Sequence, residues 1–595
     1  MAWYIPLMFI RIKSSPNSPR KTVQIVESVR NGKSVSQRIV QYIGVASDDK
    51  ALVKLQLLAK QVIENLEQER KDNDPQRELF TESELQQCET QPFEKPVDDD
   101  ATVKIANLEN ESTIVEGPME VTEKIFSHMG YDRVFGDSAR DMGNRTLLKQ
   151  MLAGILARPS SKLGMSEWFA DSCAIDVSED RMYRFLDGLH KREDRVKKIV
   201  RYNSDGLLES SPTLMLFDVT TLYNESNEED ELRKFGYSKD NKVNETQTVL
   251  ALATTPEGLP LWYELFPGNA YEGDTFQKFM DTWRRDEYPE SEGVVVADSA
   301  IFYKICDISS LSKRGLHYVV GARLKNLSNG MKEKILNSEL YRELPGTKGS
   351  VRYIVLQYKG DNMLVTWSAK RAAKDAKKRK RLILSLEKKL NKSGEIKPSS
   401  VKSNKGRNRY LKASDDKEAE GYVLDEEKIA SDAKWDGLHG VVTDLPVSDI
   451  EEIKNVLSHY RSLWRIEESF RISKSGLKMR PIYHHKKERI HAHVSLIYMA
   501  YACIRHLQMR LKLTQHADMS IDKIREALIG VTSSLIRDKS SGTLYRFPIR
   551  LSLEASRIYK SLGLKHSTRP TEITSMSKYR ARRKYLRDGQ TEPEF

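Results

Sequence analysis

An α/β fold is predicted for the centre of this chain, and three observations predict it. Residues 214–223, 248–254 and 261–266 are short apolar runs of strand length, with a Pro-Glu-Gly turn between the last two. A helical pattern near 275–284, an apolar strand at 294–297, a further helix and a strand at 317–321 follow. Strands in a meander and then helix, strand, helix, strand make a sheet covered by helices. Aspartates lie inside the first run and directly after the run 294–297, and open α/β sheets place their sites at the carboxyl ends of strands.

The flanking regions read as follows. Residues 1–95 open with strand-like alternation over 22–29 and 37–42 around an Asn31-Gly32 turn, and a helical run over 51–69 follows. The two prolines and three aspartates of 92–100 predict a linker. Residues 101–210 carry apolar residues at helical spacing, as in 147–156 and 182–189, and are expected to be mostly helical. The span 211–325 holds the strand-rich α/β pattern. From 326 to 445 charge rises, and short strands at 351–358 and 363–367 flank a basic helix, which predicts an insertion domain. Apolar helices resume over 446–515. Residues 516–595 are expected to be helical, with a basic tail in which Tyr579 and Tyr585 are interleaved.

Composition narrows the function. The 595 residues are 39% hydrophobic and 31% charged, with a mean hydropathy of −0.57. This excludes a membrane, collagenous or largely disordered chain. The longest apolar run, near His493, is too short to cross a bilayer. The apolar start lacks a basic leader and a small-residue cleavage site, so a first strand is expected rather than a signal peptide. Cys88, Cys173, Cys306 and Cys503 are too far apart in sequence for metal or redox spacing, which implies a reducing compartment. The 97 Lys and Arg exceed the 85 Asp and Glu by 12. Residues 370–392 hold eleven basic and two acidic residues, a net +9, so the remaining 572 residues carry only +3. Such concentration is the electrostatic footprint of nucleic-acid binding. From its edge inward Ala369, Ala376, Ile383 and Leu390 recur every seven residues, an apolar stripe that leaves Lys377, Lys378, Lys380 and Arg381 to face phosphate.

Three carboxylates carry the chemistry. Asp218 interrupts the apolar run Leu214-Met215-Leu216-Phe217, and a buried carboxylate is costly unless paired or metal-bound. Asp298 follows Val294-Val295-Val296-Ala297. Each alone fits a strand-end cap or a salt bridge equally well; two from one sheet favour a Mg²⁺ site. Glu467 lies in a helical pattern with Tyr460 and Lys474 seven residues to either side, one expected stripe with Trp464 and Arg471 beside it. A solvated helix with i,i+4 pairs is the plainer reading of that spacing. Zinc at His484-His485 or His491-x-His493 is disfavoured, because the latter pair falls on different helix faces and no cysteine is near. The acidic run 225–231 reads as a solvated loop. Trp435, before Asp436-Gly437, can stack on an extruded base or fill a turn.

The ordered segments Phe217-Asp218-Val219-Thr220-Thr221, Phe235-Gly236-Tyr237-Ser238-Lys239-Asp240, Gly258-Leu259-Pro260-Leu261, Phe266-Pro267-Gly268-Asn269, Val296-Ala297-Asp298-Ser299 and Tyr460 to Lys474 resemble the DDE insertion-sequence transposases, in the cut-and-paste branch with a Tyr-Arg-Glu-Lys signature. Tyr460, Glu467 and Lys474 match that signature, while its arginine position holds Leu463; Arg461 or Arg465 offers a substitute charge. The resemblance implies an RNase H-like catalytic domain, its first part over 211–325 and its second over 446–515, interrupted by a β-rich insertion over 326–445, with a helical DNA-binding region over 101–210. Asp218, Asp298 and Glu467 are then the metal-binding triad for Mg²⁺, with Mn²⁺ as the alternative ion. It further implies two-metal cleavage and joining of double-stranded DNA, at the element's terminal inverted repeats and at the target, by a homodimer in a synaptic complex. Tyr460, Lys474, Arg465, Arg471 and Trp435 would contact that DNA. No membrane is involved, and a cytoplasmic, nucleoid-associated, prokaryotic setting is expected. A catalytically silent DNA-binding regulator and a structure-selective nuclease of the same fold stay open as alternatives.

Overall fold

The computed structural model describes residues 8–15, 18–31, 34–46, 49–72, 94–98, 100–205, 214–236, 244–285, 293–298, 315–346, 350–393, 406–413 and 422–573. In chain order it forms β1 (Met8–Ser15), β2 (Ser18–Asn31), β3 (Ser34–Ala46), α1 (Asp49–Asp72), β4 (Glu94–Pro96), β5 (Leu108–Val115), α2 (Gly117–His128), α3 (Ala139–Ala157), α4 (Lys162–Cys173), α5 (Glu179–His190) and α6 (Glu193–Asp205). Next come β6 (Leu214–Tyr223), β7 (Gln247–Thr254), β8 (Pro260–Pro267), α7 (Glu272–Arg285), β9 (Gly293–Ala297), β10 (Leu316–Ala322), α8 (Asn329–Leu336), β11 (Arg342–Glu343), β12 (Val351–Tyr358), β13 (Asp361–Ser368), α9 (Ala369–Ser393), β14 (Leu411–Ala413), β15 (Tyr422–Leu424), α10 (Glu426–Ala433) and β16 (Leu438–Thr443). The rest is α11 (Ile450–Arg461), α12 (Trp464–Arg471), α13 (Lys487–Gln515), α14 (Ile521–Ile529), β17 (Thr532–Asp538), β18 (Leu544–Pro548), α15 (Leu553–Leu562) and β19 (Thr571–Ile573).

The chain divides into two compact units. The first comprises Met1–Pro212, Val219–Tyr271 and Arg465–Phe595; the second comprises Thr213–Asp218 and Glu272–Trp464. Strand β6 contributes its first half to one and its second half to the other.

In the first unit, β1, β2 and β3 form an antiparallel sheet. Val23, Ile25 and Ile43 of that sheet are buried against Leu55, Leu58 and Val62 of α1. The α1 residues follow one another at helical spacing, which is why they share a face. Helix α13 is buried almost all round, and α3, α5, α6 and α15 pack about it. Such a helix shows little amphipathicity in sequence, because every face is interior. The hairpin β7–β8 turns at Gly258, whose φ of +85° and Gly258 N–H to Thr255 carbonyl bond of 2.9 Å close the expected Pro-Glu-Gly turn.

A second sheet of this unit departs from expectation. The segment 92–100, read as a linker, contains β4, which pairs with β19. The sheet order is β4-β19-β18-β17-β5, so three of its strands come from the span 516–595, expected to be helical. Strands of three to seven residues give too short an alternation to register against their polar neighbours.

In the second unit, β9 lies between β6 and β10, parallel to both. β10 is antiparallel to β16, and β13, β12 and β11 extend the sheet antiparallel from there. The α/β reading therefore holds, as a mixed sheet. Phe276 and Phe279 of α7 lie edge-on to Phe217 of β6, each with ring centroids 4.9 Å away, and anchor helix to strand. The basic helix forms as α9. Its Ile383, Leu386 and Leu390 pack with Tyr410, Leu411, Tyr422 and Leu424.

The Gly32 turn, Tyr237 to Asp240, Ser299, the helix expected before β10, Cys88, Cys306 and the tail with Tyr579 and Tyr585 lie outside the described residues. Cys173 and Cys503 are buried free thiols. Among the described residues no helix is long and apolar enough to cross a membrane.

Candidate active site

Strand register brings the two aspartates together. The parallel pairing of β6 with β9 ends at Phe217 opposite Ala297. Asp218 and Asp298 are the next residues on neighbouring strands, which run about 4.8 Å apart. In a parallel pair, residues at matching register lie on one face. Asp218 is half-buried and Asp298 exposed. Two carboxylates so placed repel one another unless a cation or a proton lies between them. A donor set of carboxylate oxygens, open on one side, suits a hard divalent ion that keeps part of its water shell.

Asp298 opens into a cavity of about 420 Å³ within the second unit. The Tyr460 hydroxyl, at the end of α11, donates to Asp298 Oδ1 at 3.4 Å. The His439 ring packs on Tyr460 with centroids 4.9 Å apart. Burial, helped by the Arg371 charge, pushes His439 down to about 4 although Asp298 opposes it, so its ring is neutral at pH 7. Trp435 also lines the cavity, with Arg323, Lys325 and Arg371 supplying positive charge. Trp435 stands out in the sequence, whereas His439 and the three cations do not. They carry no local pattern and meet only because β10, α9 and β16 converge.

The turn that holds Trp435 is pinned from two sides. Arg379 makes a bidentate contact to Asp436, at 2.5 and 2.6 Å, so this one member of the α9 basic run is structural. Gly437 has φ +86°, and a Cβ there would come within 2.9 Å of the Ser368 carbonyl oxygen. Lys377, Lys378, Lys380 and Arg381 of α9 are exposed, and none forms an ion pair with another described residue.

The expected single helical stripe of Tyr460, Glu467 and Lys474 does not form. The helix breaks at Ser462 and Leu463, where Leu463 N–H bonds back to Tyr460 O at 3.2 Å. Helix α12 begins at Trp464, and a π-helical turn over Ile472–Gly476 then widens the backbone at Lys474. A tight turn and a π turn both shift the phase that a seven-residue spacing assumes. Each residue thus has its own setting. Lys474 is buried, and its Nζ donates to Thr220 Oγ1 at 2.5 Å. Thr220 is two residues beyond Asp218 on β6, hence on the same strand face. Leu463, at the signature's arginine position, is half-buried in the turn. Arg461 is exposed, whereas Arg465 is engaged by Glu468 at 3.3 Å.

Neighbouring glutamates on α12 have opposite fates. Glu468 meets Arg505 at 2.8 Å, Arg465 at 3.3 Å and Arg471 at 3.8 Å. Burial alone would raise its pKa, but the Arg505 and Arg465 contacts outweigh it and hold the carboxyl below the usual range. Glu467 is exposed, and among the described residues it enters no ion pair or side-chain hydrogen bond.

The histidines separate as their spacing implied. His493 Nε2–H donates to the Met479 carbonyl at 3.2 Å, while His491 Nδ1 lies 2.9 Å from Glu193. The acidic run 225–231 is a loop tied by ion pairs of Asp230 with Arg233 at 2.6 Å and Glu231 with Lys487 at 2.8 Å.

Two family models match the chain. The model described as a transposase DDE domain covers residues 209–503. The model for the N-terminal domain of IS1634 family transposases covers residues 10–76. The chain belongs to the DDE transposases of insertion sequences. No curated protein matches the sequence. Within this transposase, the DDE match spans Asp218, Asp298, Glu467 and Lys474, and the N-terminal match spans β2, β3 and α1.

Proposed function

We propose that this transposase cleaves the ends of its insertion sequence and joins them to target DNA, with Asp218, Asp298 and Glu467 as the metal ligands. The observation that carries the proposal is the adjacency of Asp218 and Asp298 at one register position of parallel strands. Membership of the family supports a nuclease and transposase activity. The reading includes an RNase H-like catalytic core, an insertion over 326–445 and the Tyr-Arg-Glu-Lys branch.

A pair of Mg²⁺ or Mn²⁺ ions, when bound, would activate water or a 3′-hydroxyl for attack and offset charge on the leaving oxygen. Asp218, central in the sheet, would hold both positions, and Asp298 and Glu467 one each. Tyr460 orients Asp298 through its hydroxyl and presents its other edge to DNA phosphate. Lys474 fixes Thr220 beside Asp218 and brings a positive charge to that face. Arg461, Arg465 and Arg471 supply further phosphate contacts, and Trp435 offers a ring to an unstacked base. The deciding test is Mg²⁺-dependent nicking and strand transfer on DNA carrying the element's ends. A regulator would bind without nicking, and a nuclease would nick without joining pre-cleaved ends.

Two further outcomes are expected. Replacing Lys377, Lys378, Lys380 and Arg381 of α9 with alanine should lower the slope of log affinity against log salt by about 3 to 4, at about 0.9 per phosphate contact. Preference for the terminal repeats over unrelated DNA at fixed salt should hardly change, because backbone contacts carry no sequence information. A salt titration with an unaltered slope would remove α9 from the DNA interface. Because excision pairs two ends, light scattering of a cleavage-competent complex should find two chains on two ends. One chain per single end would contradict a synaptic dimer.

A further inference from the structure

A second group of metal-binding side chains lies wholly in the first unit, and the proposed chemistry uses none of it. His190 ends α5, Glu193 opens α6 three residues later, and His491 lies in the first turns of α13. One donor atom from each side chain falls within 4.8 Å of the other two. Glu193 Oε2 faces both imidazoles, at 2.9 Å from His491 Nδ1 and 3.8 Å from His190 Nδ1. Zinc binds imidazole nitrogen and carboxylate oxygen at about 2.0–2.2 Å in a tetrahedron, which sets donors roughly 3.3 Å apart. The two spacings bracket that value.

The surroundings prepare the carboxylate as a ligand. The other oxygen, Oε1, is taken by Lys197 Nζ at 3.2 Å. Lys197 in turn reaches Glu264 at 3.0 Å and lies over the Tyr263 ring at 4.6 Å. Glu193, Glu264 and Lys197 together carry one net negative charge, so a cation at Oε2 is not opposed. His190 Nδ1 is buried and makes no hydrogen bond among the described residues. A buried ring nitrogen without a hydrogen bond, aimed at a carboxylate oxygen, is what a site for a shared cation presents.

We propose that His190, Glu193 and His491 bind a zinc-class divalent cation, with a fourth position for water. Two imidazoles and one carboxylate favour such an ion over Mg²⁺, which prefers oxygen donors. The bound ion would tie the α5–α6 junction to α13, so its first effect is on stability rather than chemistry. The alternative is a direct Glu193–His491 ion pair that needs no ion.

The test uses the full-length chain after chelation and dialysis. Micromolar Zn²⁺ should raise its melting temperature by about 3 °C or more, and equal Mg²⁺ should not. Co²⁺ should give the visible absorption of a tetrahedral site, and added Zn²⁺ should remove it. His190→Gln and His491→Gln, shown to be folded by circular dichroism, should lose both responses. If His491→Gln fails to fold, His190→Gln carries the comparison, since that side chain is one-third exposed. Absence of the Zn²⁺ shift and the Co²⁺ spectrum in the unmodified chain would leave only the ion pair and overturn the proposal. Their persistence in His190→Gln would place the ion elsewhere and do the same.

Discussion

The Asp218→Asn variant is expected to lose metal-dependent nicking of element-end DNA by about 100-fold or more. Removing outer-shell partners of a metal already costs 10–100-fold, and a direct ligand should cost at least as much. The amide keeps the shape of the carboxylate, so β6 should pair as before. Its neighbours Phe217 and Val219 are buried and hold the strand in register. The fold should therefore be unharmed. DNA affinity measured without divalent ions should be nearly unaltered, since the basic surfaces are untouched. A nicking assay beside a thermal melt separates the two effects. Undiminished nicking by a folded Asp218→Asn protein would remove Asp218 from the metal site.

How much of this was legible in the sequence depends on the length of each signal. The strands around Asp218 and Asp298 are runs of four or more apolar residues, buried on both faces, and such runs stand out. Helix α9 was legible because charge and a heptad of apolar residues coincide in it. The bounds of β12 follow the alternation closely. What escaped was short or phase-dependent. The strands β4 and β19 have three residues each, and they pair across most of the chain. The stripe through Tyr460, Glu467 and Lys474 assumed one unbroken helix, and neither Ser462 nor Leu463 announces the turn. His439 and Arg371, and likewise Glu193 and His491, lie tens to hundreds of residues apart in sequence. Only the folded chain brings them together, so no local pattern could mark them.

The two glutamates of α12 should then give opposite results when each is changed to glutamine. Glu467→Gln should abolish nicking and leave stability unchanged, because its side chain is exposed and supports no neighbour among the described residues. Glu468→Gln should keep nicking at permissive temperature and lose about 2 kcal/mol of stability, the usual cost of weakening a hydrogen bond to a charged group. Its partner Arg505 is only 7% exposed. Without the carboxylate, the guanidinium would keep the Tyr501 hydroxyl at 3.0 Å and Gln508 at 3.1 Å, and no other charge partner among the described residues. Arg505 also lies against Gly258, so a shift there would disturb the β7–β8 turn. Acid gives an independent reading of the same pair. Glu468 has a lowered pKa in the fold, so its contribution is complete above the ordinary glutamate value of about 4.3 and fades as pH falls below it. The stability difference between the parent and Glu468→Gln should accordingly narrow in acid. Loss of nicking in a stable Glu468→Gln protein, with Glu467→Gln still active, would move the third ligand by one residue. That move would require the arginine trio to release Glu468 on metal binding.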